Sequence, residues 1–218
     1  MRSSALLLLL ALLAPGPALA ASDRAGAGII AADRAFAALA QTHGEWTAFR
    51  AAAAPHAEMF VPRRVEIESF GGGRPDPPVA TRWHPQHAWL SCDGTAGLTF
   101  GRWSVPGTRQ HGWYEAVWVQ RRSGGYQLLL RRGGTNPRRL FSRPGPAGVR
   151  AQCSGTPGLP ISAPPEGTDL KIGASRDQTL IWSSAVDPAG AVTITAARWD
   201  GGRHVPILAD TAPPPNAR

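Results

Sequence analysis

The chain has 218 residues, including 25 glycines and 21 prolines, and a formal net charge of +8 at neutral pH. That length holds one substantial core plus an appendage and excludes an array of large domains. Only Lys171 among the 23 basic residues is lysine, and the arginines are dispersed apart from adjacent pairs such as Arg121-Arg122, Arg131-Arg132 and Arg138-Arg139. The charge therefore reads as a compositional bias towards arginine, and no nucleic-acid partner is expected.

Residues 1–20 read as a signal peptide. Arg2 supplies the positive start, Ala5 to Leu13 is an apolar run too short to span a bilayer, and Ala18-Leu19-Ala20 follows Pro15-Gly16-Pro17 as a small-residue cleavage site. The mature chain is expected to begin at Ala21, in the periplasm or secreted. No cysteine stands directly after the cleavage site and no later run is apolar enough for a span, so no membrane anchor is expected.

Ile29 to Thr42 predicts a helix, with Ile29, Ala32, Phe36 and Leu39 on one stripe and Gly44 as its stop. Glu45 to Ala54 predicts a second, carrying Trp46, Phe49 and Ala53 on one face. Glu58 to Val61 predicts a short strand halted by Pro62, and Val65 to Pro78 a loop rich in Gly and Pro. Gly71-Gly72-Gly73 lacks the Gly-Lys-Ser/Thr ending of a phosphate cradle.

Four strands follow, over about His87 to Cys92, Ala96 to Val105, Gln110 to Arg122 and Tyr126 to Arg132, separated by turns at Asp93-Gly94, Pro106-Gly107 and Ser123-Gly124. This region and Trp83 hold five of the eight tryptophans. A two-residue turn at Ser123-Gly124 sets Trp118 opposite Leu129 and Ala116 opposite Arg131. One hairpin face then carries Tyr114, Ala116, Trp118, Leu129 and Arg131. The other carries Trp113, Glu115, Val117, Val119, Leu128, Leu130 and Arg132, with Glu115 and Arg132 as a cross-strand ion pair. Both faces are apolar, so both should be covered.

Residues 135–170 read as an irregular Pro/Gly-rich crossover. Residues 171–210 read as a C-terminal β-hairpin unit with strands over Thr179 to Ala185 and Val192 to Trp199, and a third piece at His204 to Leu208. Residues 211–218 read as a disordered tail. Cys92 and Cys153 are the only cysteines, and in an exported chain a disulfide is the expectation; two buried thiols or half a metal site are the alternatives. The bridge would close a loop of about sixty residues, worth about 4 kcal/mol on the chain-entropy model.

The helix ADRAFAALAQ (Ala32 to Gln41), the strand HAEMFVP (His56 to Pro62) and the hairpin VWVQRRSGGYQLLLRRGG (Val117 to Gly134) together resemble the SnoaL-like and ketosteroid-isomerase-like branch of the nuclear-transport-factor-2-like superfamily. The resemblance spans about residues 31–134. It implies an α+β fold in which N-terminal helices pack on a curved antiparallel sheet, forming a cone whose interior is a pocket, over residues 21–134. It also implies small-molecule binding or, in some members, isomerisation, cyclisation or hydrolysis. Many relatives carry an acidic residue near the end of the last sheet strand. Here Leu130-Arg131-Arg132-Gly133 stands there, an arginine cannot be a general base, and no catalytic residue is carried over.

The first hairpin face suits a pocket wall, and Met59 or Phe60 on the preceding short strand should reach the same interior; Met59, Tyr114, Trp118 and Arg131 are the expected ligand-binding residues, with Arg131 at the mouth to meet an anionic group. Tyr114 and Trp118 as plain core is the alternative. His84, His87 and His111 lie in no ligand-like repeat with Asp or Glu, so no metal and no cofactor is expected. The expected function is an exported, noncatalytic binder of a small, partly apolar molecule. An isomerase- or cyclase-type enzyme using a histidine or Tyr114 is one alternative. A protein-interaction module built on the C-terminal unit is another, and a homodimer is compatible with each.

Overall fold

The apolar stripe near the N-terminus is helical, and it lies on a sheet. The structure, a computed structural model, describes residues 17–135, 148–160 and 163–214, with side chains from residue 27 onward. Arg2, the apolar run Ala5 to Leu13 and the pair Arg138-Arg139 lie outside the described residues. Helix α1 (Pro17–His43) includes the expected cleavage tripeptide near its start, and α2 (Glu45–Ala52) follows. Gly44 joins them at φ 104°, in the left-handed region that glycine tolerates. Asp76 caps α2 from a distant loop. Its carboxylate accepts from the Trp46 N–H (2.5 Å), the Thr47 N–H (3.2 Å) and the Thr47 hydroxyl (2.9 Å).

The remaining elements are β1 (Ala53–Phe60), β2 (Arg64–Glu66), α3 (Ile67–Gly71), β3 (Arg82–Leu90), β4 (Ala96–Ser104), β5 (His111–Gln120), β6 (Tyr126–Gly134), β7 (Val149–Arg150), β8 (Asp169–Ala174), β9 (Leu180–Val186), β10 (Val192–Trp199) and β11 (His204–Ala212). Sheet A runs β2-β1-β6-β5-β4-β3-β7 and sheet B runs β11-β10-β9-β8. The fold is thus α+β, as expected, with four corrections.

First, sheet A is mixed, not antiparallel. β1 runs parallel to β6, and β7 parallel to β3. Tight turns force antiparallel pairing only between sequence neighbours, and these strands are far apart in the chain. Second, the expected loop after Val65 contains the end of β2 and all of α3, whose Ile67 is fully buried. Third, the C-terminal unit is a four-stranded meander with β8 at its edge. β8 carries little strand signal, because Leu170 and Ile172 are its only large apolar residues and Gly173 follows them. Fourth, β11 extends to Ala212, past the point where the tail was expected to start.

Sheet A is covered on both faces. On one, Ile29, Phe36 and Ala40 of α1 and Phe49 of α2 pack against Trp83, Leu90, Tyr114, Ala116, Trp118 and Leu128. On the other, Phe60, Leu98, Val117 and Leu130 pack against Leu180, Trp182, Ile194 and Leu208 of sheet B. The second face explains why β4 and β5 read as near-continuous apolar runs.

A disulfide joins Cys92 and Cys153, whose Cα atoms are 5.2 Å apart. It lies where the crossover touches both sheets, since the Ala151 N–H donates to the Leu90 carbonyl (2.8 Å) and the Gln152 N–H to the Trp199 carbonyl (3.0 Å). A disulfide is consistent with a non-cytoplasmic location. Among the described residues, no helix is long and apolar enough to cross a membrane.

Candidate functional site

The helix-covered face of sheet A holds a buried cluster of polar groups. Asp33 sits on the apolar stripe of α1, fully buried, between Ile29 and Phe36. Its Oδ2 accepts from the Thr99 hydroxyl of β4 at 2.6 Å. The Tyr114 hydroxyl of β5 lies 3.1 Å from both carboxylate oxygens. Thr99 in turn accepts from the Trp118 indole N–H at 3.0 Å. Three strand side chains and one helix side chain thus form a closed hydrogen-bonded unit inside the core.

Arg131 of β6 completes the cluster. Its side chain is 5 % exposed, and the guanidinium carbon lies 4.2 Å from the Tyr114 ring centre, 4.6 Å from Trp83, 5.1 Å from Phe36 and 5.6 Å from Phe49. Ring faces stabilise the charge. They do not satisfy its N–H groups, and among the described residues Nη1 and Nη2 have no hydrogen-bond partner. Asp33 and Arg131 influence each other electrostatically. Burial lowers the arginine's proton affinity while Asp33, Tyr114 and Glu45 raise it. Burial raises the Asp33 carboxyl, outweighing Arg131, Thr99 and Tyr114, which act to lower it. Burial and the neighbouring carboxylate push the Tyr114 phenol well above its usual range, so it stays a hydroxyl.

Arg131 and Tyr114 open onto a cavity of about 400 Å³ whose other walls include Glu45, Trp46, Phe49, Met59, Trp83 and Trp103. Glu45 at this cavity is held by the Thr81 N–H, 3.0 Å from Oε2. Close backbone approach shapes the wall: a Cβ on Gly101 would lie 2.3 Å from the His84 carbonyl and 2.7 Å from the Tyr114 ring. A second groove of about 450 Å³, on sheet B beside Leu159, Pro160 and Ala163 to Pro165, has no charged side chain among the described residues of its lining. The first cavity differs from it in joining aromatic walls to Glu45 and Arg131.

Of the four residues expected to bind a ligand, Met59, Tyr114 and Arg131 line this cavity, and Met59 is in register with Arg131 across the β1–β6 ladder. Trp118 lies behind them, 1 % exposed and outside the lining, as a support for Thr99. Arg131 faces Ala116, as expected, because two departures cancel. The Arg122-Ser123-Gly124 turn has three residues, not two, closed by the Arg121 N–H to the Gly125 carbonyl at 3.0 Å. A bulge after Leu128 then restores the pairing, so Trp118 faces Leu128, not Leu129, and Leu128 joins the helical face. The extra turn residue is set by Gly124 at φ 89°, which fits a glycine-bulge turn better than a two-residue hairpin.

On the opposite face, Glu115 and Arg132 are paired at 3.9 Å, as expected. Arg132 also reaches Asp210 of β11 at 3.1 Å. His84 and His111 are exposed. His87 is buried and stacks on Trp89 at 5.9 Å, and burial lowers its proton affinity. Among the described residues, no cluster of three or more His, Cys, Asp or Glu could hold a metal ion.

Asp33 is the residue that sequence reasoning missed. The available signal was a carboxylate midway between Ile29 and Phe36 at helical spacing, where a solvated residue is not expected. Trp103 and Glu45 carried no such signal.

No protein-family model and no curated protein matches the chain. Among solved structures, it is similar to an LEH-like epoxide hydrolase from M. tuberculosis, at 17% identity and a TM-score of 0.35, over 50% of this chain and 79% of that one.

Proposed function

We propose that this chain is an exported, noncatalytic binder of a small, partly apolar molecule, held in the cavity between α2, β1, β3 and β6. The observation that carries the reading is the pairing of aromatic walls with one buried, incompletely bonded guanidinium. Pockets that bind small molecules combine mostly apolar walls with a few fixed polar groups. The N-terminal signal and the Cys92–Cys153 bridge support export. The helices over one face of a curved sheet support the nuclear-transport-factor-2-like superfamily, and the segments Ala32 to Gln41, His56 to Pro62 and Val117 to Gly134 support its SnoaL-like branch.

A catalyst of the isomerase or cyclase type is the second reading, and the raised, buried Asp33 carboxyl favours it. Against it, Asp33 is outside the cavity lining and both its oxygens lie within hydrogen-bond range of Tyr114, with Thr99 on one of them. A base must reach the proton it removes. Binding needs no such access.

Chemical-shift mapping of the labelled protein with a set of small apolar fragments tests the reading. Shifts should concentrate on the indole N–H signals of Trp46 and Trp103. Shifts confined to the sheet B groove, or none at all, would overturn it.

A further inference from the structure

Resting on the reading of the cavity as a small-molecule site, we propose that its ligand is a small carboxylate on a flat apolar body, taken up together with one proton that resides on Asp33. The first half follows from Arg131. Buried N–H groups without acceptors are costly, and those of a charged group most of all. The guanidinium fork matches a carboxylate with two parallel bonds. Trp46, Trp83 and Trp103 provide flat apolar walls for the rest of the molecule.

The second half follows from charge balance. Asp33 and Tyr114 face Arg131 from α1 and β5, and Glu45 faces it from α2. Arg131 is in turn the only charged group among those acting on Asp33, beside the Thr99 and Tyr114 hydroxyls. With Asp33 ionised, the carboxylates of Asp33 and Glu45 outnumber the one positive charge of Arg131, and an incoming anion adds a further negative charge. With Asp33 protonated, Arg131 is left for the ligand. A solvent proton accepted at Oδ1 can be shared with the Tyr114 oxygen 3.1 Å away, which accepts as well as it donates. The burial that already raises the Asp33 carboxyl makes this protonation accessible. By linkage, an anion on Arg131 raises it further.

Calorimetric titration of the oxidised mature protein with phenylacetate and with its neutral isostere phenylacetamide tests both halves. In wild type, phenylacetate should bind at least about tenfold more tightly than the amide while Asp33 is protonated, and its affinity should fall as pH rises through the raised Asp33 value. Repeating the titration in buffers of different ionisation enthalpy should show uptake of about one proton. Asp33→Asn keeps the acceptor for Thr99 and Tyr114; it should retain the acid preference and lose both the pH dependence and the proton uptake. Arg131→Met should bind the two compounds alike. Equal binding of acid and amide by wild type would overturn the carboxylate class while leaving the cavity reading intact. A preference for acid that is flat with pH would overturn the proton coupling. If neither compound binds, the cavity reading fails and this inference fails with it.

Discussion

The Asp93 N–H donates to Asp177 Oδ2 at 2.8 Å, and the Asp177 N–H donates back to Asp93 Oδ2 at 3.1 Å. The two residues belong to turns of matching sequence, Ser91-Cys92-Asp93-Gly94-Thr95 between β3 and β4 and Ser175-Arg176-Asp177-Gln178-Thr179 between β8 and β9. In each, the serine hydroxyl donates to its aspartate at 2.6 Å, and the threonine N–H and hydroxyl do the same. The turns also exchange bonds through their threonines: the Cys92 N–H reaches Thr179 and the Arg176 N–H reaches Thr95. Sheets A and B are therefore clasped by two like turns related by an approximate twofold.

Asp177→Ala should remove this clasp and destabilise the fold by about 2–3 kcal/mol, since several partly buried donors lose their acceptor together. Urea unfolding measures it, and a change below about 0.5 kcal/mol would contradict the assigned role. Burial raises the Asp177 carboxyl, but bonds from Ser175, Thr179 and the Asp93 N–H outweigh burial and lower it. Its contribution is present above its unfolded value of about 3.9 and is lost as pH falls through the lower folded value. Stability of Asp177→Asn should accordingly fall less steeply with acid than that of wild type.

Reduction of Cys92–Cys153 should lower stability by about 4 kcal/mol, because the bridge closes 61 residues of sequence. Scanning calorimetry with and without reductant gives the shift in Tm. Hydrogen exchange should show Ala151 and Gln152 losing protection first, as their N–H groups are the crossover's bonds to the two sheets. Unchanged Tm on full reduction would remove the bridge from the account of stability.

Ending the chain after Thr135 would strip sheet B from Phe60, Leu98, Val117 and Leu130. Such an apolar face is expected to aggregate or bind ANS. In the full chain, Trp182→Ala should cost about 3–5 kcal/mol. A truncated chain as soluble and as stable as the whole would mean that the two sheets fold independently.

Gly101→Ala should move Tyr114, because the added carbon cannot fit between the His84 carbonyl and the ring. Overpacking of this kind costs about 1–3 kcal/mol. The Tyr114 ring signals in an aromatic NMR spectrum should shift, and the cavity should bind fragments more weakly. If stability and spectrum both match wild type, the close approach is not a constraint.

Much of this protein was legible in the chain. Helical spacing placed α1 and α2, turn chemistry placed β3 to β6, β9 and β10, and two-sided apolarity in β5 required a cover on each face. Local periodicity and turn preference act over a few residues, and a single chain displays them fully. Arg131 lies on the face that the sequence predicts even though the turn is one residue longer than predicted, because the bulge after Leu128 restores the register. Other features depended on residues that meet only after folding. The parallel β1–β6 pair, the clasp of Asp93 with Asp177 and the addition of Asp210 to Glu115 and Arg132 join segments up to about a hundred residues apart, and no local signal encodes such a pairing. Asp33 shows the limit most clearly. Its place on α1 was readable, but whether it met water, a metal or a buried arginine was decided by the strands packed against it, since the charge it carries depends on a dielectric environment that only the tertiary structure supplies.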